Sequence, residues 1–209
     1  LKSNWIKYLS VLLFFNLIPL LIIDLFLITE KDLLASYLRS FSEEQALGIL
    51  ETSKNWKWLS YLFSVLLLAS KTLLVGSILW LATFLINNQI SFSKLFLVGI
   101  KSQVIFILKP YILLVLVLLN SDSKLEIISN FTPLSLFSLF KGQSLDGYLA
   151  FLFQSLNLFE VAYWFLLAYF LSKELKSTLN DGLKVVVSSY IPAFVLWLVT
   201  VTFFLVSNS

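Results

Sequence analysis

Apolar residues run almost without interruption over residues 5–28, and long runs of the same kind recur along the rest of the chain. A helix needs about 20 apolar residues, at about 1.5 Å each, to cross the hydrocarbon layer. The runs predict five spans, at about 5–28, 58–86, 101–119, 148–172 and 183–206. The fourth reaches that length only if the stretch 148–156 continues into 158–171. The first is longer than a signal-peptide core and no small-residue cleavage pattern follows it, so a retained span is expected. Composition agrees: 59% of the 209 residues are hydrophobic and 13% charged, and the mean hydropathy of +0.91 is far from that of a soluble domain. The expected fold is an all-α integral membrane protein, residues 1–209 forming one bundle of five transmembrane helices with short interfacial amphipathic helices.

The polar segment 29–57 is patterned. Leu33, Leu34, Tyr37, Leu38 and Phe41 share one helical face, Thr29 with Asp32 makes a capping-box pattern, and Ser42 with Gln45 marks a second short helix in the same way. Such a segment either lies flat in the interface, with Trp56 and Trp58 in the headgroup belt, or forms a solvated cap packed on the bundle. Residues 92–97, after Asn87-Asn88-Gln89, and residues 134–140, between Pro133 and Gly142, read as further interfacial pieces.

Lysine and arginine density in short loops sets orientation. The side of the N-terminus carries Lys2, Lys7, Lys94, Lys101, Lys173, Lys176 and Lys184, opposed by Glu174 and Asp181. The other side holds Lys31, Arg39, Lys54, Lys57, Lys124 and Lys141 in longer loops that also contain Glu30, Asp32, Glu43, Glu44, Glu51, Asp122, Glu126 and Asp146. A cytoplasmic N-terminus and an extracytoplasmic C-terminus are predicted, in a bacterial inner (cytoplasmic) membrane or, as the alternative, a eukaryotic endomembrane.

Ionisable groups inside spans cost about 2.5 to 3.5 kcal/mol each on insertion scales, so each needs a partner, a water-lined cavity or an interface within reach. Asp24, Lys71, Lys109 and Glu160 are such groups, and they form the candidate buried polar cluster. If the fourth helix begins near Tyr148, Glu160 lies near mid-depth beside Gln154 and Asn157, and a contact with Lys71 or Lys109 comes within reach. One reading is a polar path through the bundle; the other is a buried pair, or snorkelling lysines, that hold helices in register. Pro19, Pro110 and Pro192 are the expected helix kinks, each lacking the N–H that would continue the backbone ladder, and a bend is expected near Lys109.

The chain has no histidine and no cysteine, which removes the common zinc and haem ligands, the thiol nucleophile and the usual general base near neutral pH. Glu43-Glu44 lacks the histidines that paired glutamates of intramembrane prenyl-protein proteases require, and no Gly-Xaa-Gly-Asp signature occurs. Leu145-Asp146-Gly147 reads as a turn or helix start, and Ser70 and Lys71 point about 100° apart on a helix. No enzymatic activity and no cofactor, catalytic or metal site is expected. The net charge of +3 comes from 14 lysines and Arg39, and no basic patch with interleaved exposed aromatics points to nucleic acid.

The order of parts, with a proline in the third span and the passage SLNLFEVAYWFLLAYFLSKEL followed by a polar turn and LKVVVSSYIPAF, resembles the Yip family of Ypt/Rab GTPase-interacting membrane proteins. Leu156, Asn157, Leu158, Phe159 and Trp164 match the opening of that family's fourth span. The long cytosolic N-terminal region and the Asp-Leu-Tyr-Gly-Pro stretch of eukaryotic members are not visible in this sequence, which leaves GTPase binding in doubt, and the compact form is similar to the bacterial branch. Missing catalytic chemistry, plentiful apolar surface and the family likeness together point to partners among other integral membrane proteins, in a hetero-complex, within the lipid bilayer. The expected function is a non-enzymatic membrane scaffold or accessory subunit of a larger complex. The alternative is a permease or channel component with a path lined by Lys71, Lys109 and Glu160.

Overall fold

The chain is described here from a computed structural model over residues 5–120, 123–140 and 145–207. Lys2, Asp122, Lys141 and Gly142 of the sequence reading lie outside the described residues. Helix α1, Trp5–Ile22, passes into a π-helical turn, Ile23–Leu27, and is followed by α2, Glu30–Tyr37, and the long α3, Glu43–Leu85. Then come α4, Phe92–Ser102, α5, Val104–Leu119, and the short α6, Lys124–Ser129. A 3-10 turn, Leu136–Phe140, precedes α7, Gly147–Ser155, α8, Leu158–Leu175, and α9, Leu179–Ser207. No strand occurs among the described residues; one antiparallel bridge joins Ser135 to Asn157.

Among the described residues, four helical stretches are long and apolar enough to cross a membrane: Trp5–Leu27, Glu43–Leu85, Phe92–Leu119 and Leu179–Ser207. Their composition fits an integral membrane location. Helix α8 is 18 residues long, about 27 Å at 1.5 Å per residue, but carries Glu160, Lys173 and Glu174. The expected fourth span, 148–172, is two helices rather than one. Asn157 ends the continuity because its backbone is extended, at φ −140° and ψ 159°, and its side chain caps α8 by accepting from the Glu160 N–H at 3.0 Å.

The region 43–57 differs from the expected short interfacial helix. It forms one 43-residue helix with the second span, since no proline or αL residue interrupts 43–85, and the Ser42–Gln45 pair caps its start. Thr29 and Asp32 do form a capping box at the start of α2, with Thr29 N–H donating to Asp32 at 2.8 Å and Asp32 N–H to the Thr29 hydroxyl at 3.2 Å. The helical pattern runs through Lys109 and Pro110, and a separate interruption of the third span falls at Gln103, between α4 and α5. Pro19 and Pro192 likewise lie inside α1 and α9.

The chain forms two compact units, residues 1–9, 71–106 and 132–209 in the first, and residues 10–70 and 107–131 in the second. In the first, α8 is the central helix, burying Tyr163, Leu167, Ala168 and Leu171 against Val75 and Leu79 of α3, Leu95 and Val98 of α4, and Val185, Val186 and Tyr190 of α9. Lipid tails are as apolar as leucine, so close backbone approach and hydrogen bonding, not removal from water, bind such helices. Gly182 shows the approach: a Cβ there would collide with the Ala168 carbonyl. A Cβ at Gly76 would stand 3.2 Å from the Phe96 Cα on α4. In the second unit, Ile23 packs with Leu113 and Val117 of α5, joined by Ile127 and Ile128 of α6. Lys124 there donates to the Leu27 carbonyl at 2.9 Å, satisfying an acceptor at the end of the π turn.

Candidate functional site

The first turn of α8 carries a buried carboxylate. Glu160 is 5% exposed, three residues after the cap at Asn157, where the positive end of the helix dipole favours an anion. Its Oε1 accepts from the Tyr190 hydroxyl of α9 at 2.6 Å and from Trp164 Nε1, one turn on, at 3.2 Å. Its Oε2 faces Lys71 Nζ of α3 at 3.4 Å. Lys71 Nζ also stands 3.9 Å from the centre of the Phe106 ring and 4.9 Å from that of Tyr163, so aromatic faces stabilise the ammonium from the other side. Tyr163 and Tyr190 meet edge to face at 5.5 Å, and the Tyr163 hydroxyl is buried with no hydrogen-bond partner among the described residues.

The join between α7 and α8 supports this site. Leu136 N–H donates to the Leu156 carbonyl and Leu158 N–H to the Leu134 carbonyl, both at 3.0 Å, so backbone groups freed by the helix break are satisfied. Beside the join lies a cavity of about 480 Å³, lined by leucines, Val161 and Trp164 together with Ser135, Ser138, Asn157 and Glu160.

Of the four ionisable residues expected inside spans, the structure brings Lys71 and Glu160 together. Asp24 sits in the π turn and has its own partners, Lys57 at 2.8 Å and the Tyr61 hydroxyl, both on α3. Lys109 is half-buried on α5. The sequence reading did not name Tyr190, Tyr163 or Phe106 beside Glu160 and Lys71, nor Lys57 and Tyr61 beside Asp24. Trp164 stood in the open as the residue one helical turn from Glu160. The reading also missed the hydrogen bond from the Gln103 side chain to Thr72, both fully or nearly buried, which ties the interruption of the third span to α3.

Chemically, the cluster pairs one carboxylate with one ammonium and supplies neutral donors to the carboxylate. The donors to Glu160 are the Lys71 ammonium, the Tyr190 hydroxyl and the Trp164 indole N–H. Among the described residues, no three His, Cys, Asp or Glu side chains gather in a way that would hold a metal ion. No known protein family, no curated protein and no solved structure matches the chain.

Proposed function

We propose that this protein is a non-enzymatic integral membrane scaffold or accessory subunit of a larger membrane complex, similar to the bacterial branch of the Yip family. The observation that carries this reading is the saturation of Glu160: Lys71, Tyr190 and Trp164 occupy both carboxylate oxygens and fasten α3, α8 and α9 to one another. Such a network positions helices and holds their register. In this reading α8 is the fourth of five crossings, a view supported by its antiparallel course along α4: Lys94 near the start of α4 meets Glu174 near the end of α8, at 3.6 Å.

The test is to extract a tagged copy from its native membrane in mild detergent and measure the stoichiometry of what accompanies it. A stoichiometric integral membrane partner is the expected result; a clean homo-oligomer or monomer counts against the reading. A second reading, a permease or channel component using Lys71, Lys109 and Glu160, is favoured by the cavity that reaches Glu160. Flux in reconstituted vesicles that disappears when those residues are neutralised, with assembly intact, would select it.

A further inference from the structure

Lys101 lies nine residues after the start of α4, about 14 Å along the helix and inside the apolar stretch Phe92–Leu119. Its ammonium stands 5.4 Å from the centre of the Tyr8 ring of α1 and 5.7 Å from that of Phe170 of α8. Aromatic faces attract a cation but leave its charge uncompensated. Among the described residues no carboxylate pairs with Lys101, and the nearby acid Glu174 is taken by Lys94 at 3.6 Å. Lys173, 5.1 Å from the centre of the Tyr169 ring, also has no carboxylate partner among the described residues. Contacts within the first unit gather these groups: Trp5 meets Phe96 at 5.5 Å, which sets the start of α1 beside α4, and Lys94 meets Glu174, which sets the end of α8 there too.

A cation recessed in a span needs a partner, water or the interface within reach, and basic sites between helices near a membrane face hold anionic lipid headgroups. The surroundings suit a phospholipid better than a free anion, since Tyr8, which faces Lys101, and Tyr169, which faces Lys173, are each 46% exposed and offer apolar faces to acyl chains. We propose that Lys101, together with Lys173, which lies three residues after Phe170 on α8, binds the phosphate of an anionic phospholipid at the membrane face bearing the start of α1. The ammonium of Lys101 is recessed to meet the phosphate below the headgroup surface, and the Tyr8 and Phe170 rings flank it.

The experiment uses the purified full chain in nanodiscs of phosphatidylcholine with or without phosphatidylglycerol, with retained lipid counted by native mass spectrometry and thermal stability measured in parallel. The expected result is retention of phosphatidylglycerol over phosphatidylcholine and a higher melting temperature in its presence. Lys101→Gln is expected to lower retention about fivefold and remove the thermal gain, while Lys101→Arg keeps both. Lys173→Gln, at an exposed position, is expected to weaken retention by a similar factor without disturbing packing. Equal retention of the two lipids overturns the proposal, as does undiminished retention in Lys101→Gln, or in Lys173→Gln should Lys101→Gln not fold. Inorganic phosphate giving the same thermal gain in detergent would show an anion site without lipid selectivity, and also overturns it.

Discussion

At the scale of single residues, the polar groups inside the helices are arranged so that removing one partner exposes another. Lys71 and Glu160 are unequal in this respect. Lys71 keeps two aromatic faces and a side chain 39% exposed, whereas the Glu160 side chain is 6% exposed and serves three donors. Glu160→Leu is therefore expected to cost more stability than Lys71→Met, because it strands the Tyr190 hydroxyl and Trp164 Nε1 as well as the ammonium. The double substitution should recover part of the loss, with a coupling on the order of 1 kcal/mol, held down by the exposure of Lys71. Reversible unfolding in mixed micelles measures it, and strict additivity would show that the 3.4 Å pair contributes nothing. At the other end of α8, Lys176 adopts the left-handed conformation, φ 53° and ψ 41°, that closes the helix while Ser177 N–H reaches the Ser172 carbonyl at 3.0 Å. Glycine accepts that conformation without the Cβ clash, so Lys176→Gly is expected to stabilise by about 1 kcal/mol; an unchanged or lowered midpoint in the same unfolding assay would contradict this.

At the scale of elements, the close approach of α8 and α9 and the cap of α2 make opposite demands. Gly182 stands against the Ala168 backbone, which cannot rotate away as a side chain can, so Gly182→Leu must separate the two helices. A loss of about 1 to 3 kcal/mol is expected from such overpacking, read as a lowered unfolding midpoint, with Gly48→Leu, where nothing stands within 4 Å, as the neutral control. The α2 cap depends on charge instead. Backbone and side-chain hydrogen bonds from Thr29 hold the Asp32 carboxyl below its usual range. Because the folded value is depressed, the stabilisation is complete above the unfolded value and is lost as pH falls through the folded one. Protection of the α2 amides, taken relative to their intrinsic exchange rate at each pH, should thus fall on acidification in the wild type and be low and less pH-dependent in Asp32→Asn; the same pH response in both would remove Asp32 as the cause. This cap was legible in the sequence because its donors and acceptors lie three residues apart. The break at Asn157 was less so, since a long apolar run on both sides masks a single extended residue. Lys71 and Glu160 could be nominated as partners from depth alone, but Tyr190 arrives from 30 positions along the chain, and no local pattern announces it. The continuity of α3 had a signal, the lack of any proline between Ser42 and Leu85, but its polar first half outweighed it.

For the molecule as a whole, the number of crossings turns on α8. Among the described residues, four stretches have the length and apolarity to cross without help, and α8 stands apart through the three charges that it carries. Those charges sit near its ends: Glu160 at the first turn, neutralised by its neighbours, and Lys173 and Glu174 at the last, where the interface would begin. A helix about 27 Å long with its polar groups so placed can cross a layer about 30 Å thick. The absence of cysteine from the sequence permits a clean test, since single cysteines report which side they face to a membrane-impermeant maleimide. With five crossings, Asn88→Cys and Asn180→Cys label from one side, and Glu44→Cys, Asp146→Cys and Ser207→Cys from the other. If α8 does not cross, Asp146→Cys and Asn180→Cys label from the same side. The pair Asp146 and Asn180 therefore decides the count by itself, independently of which side proves to be the cytoplasm.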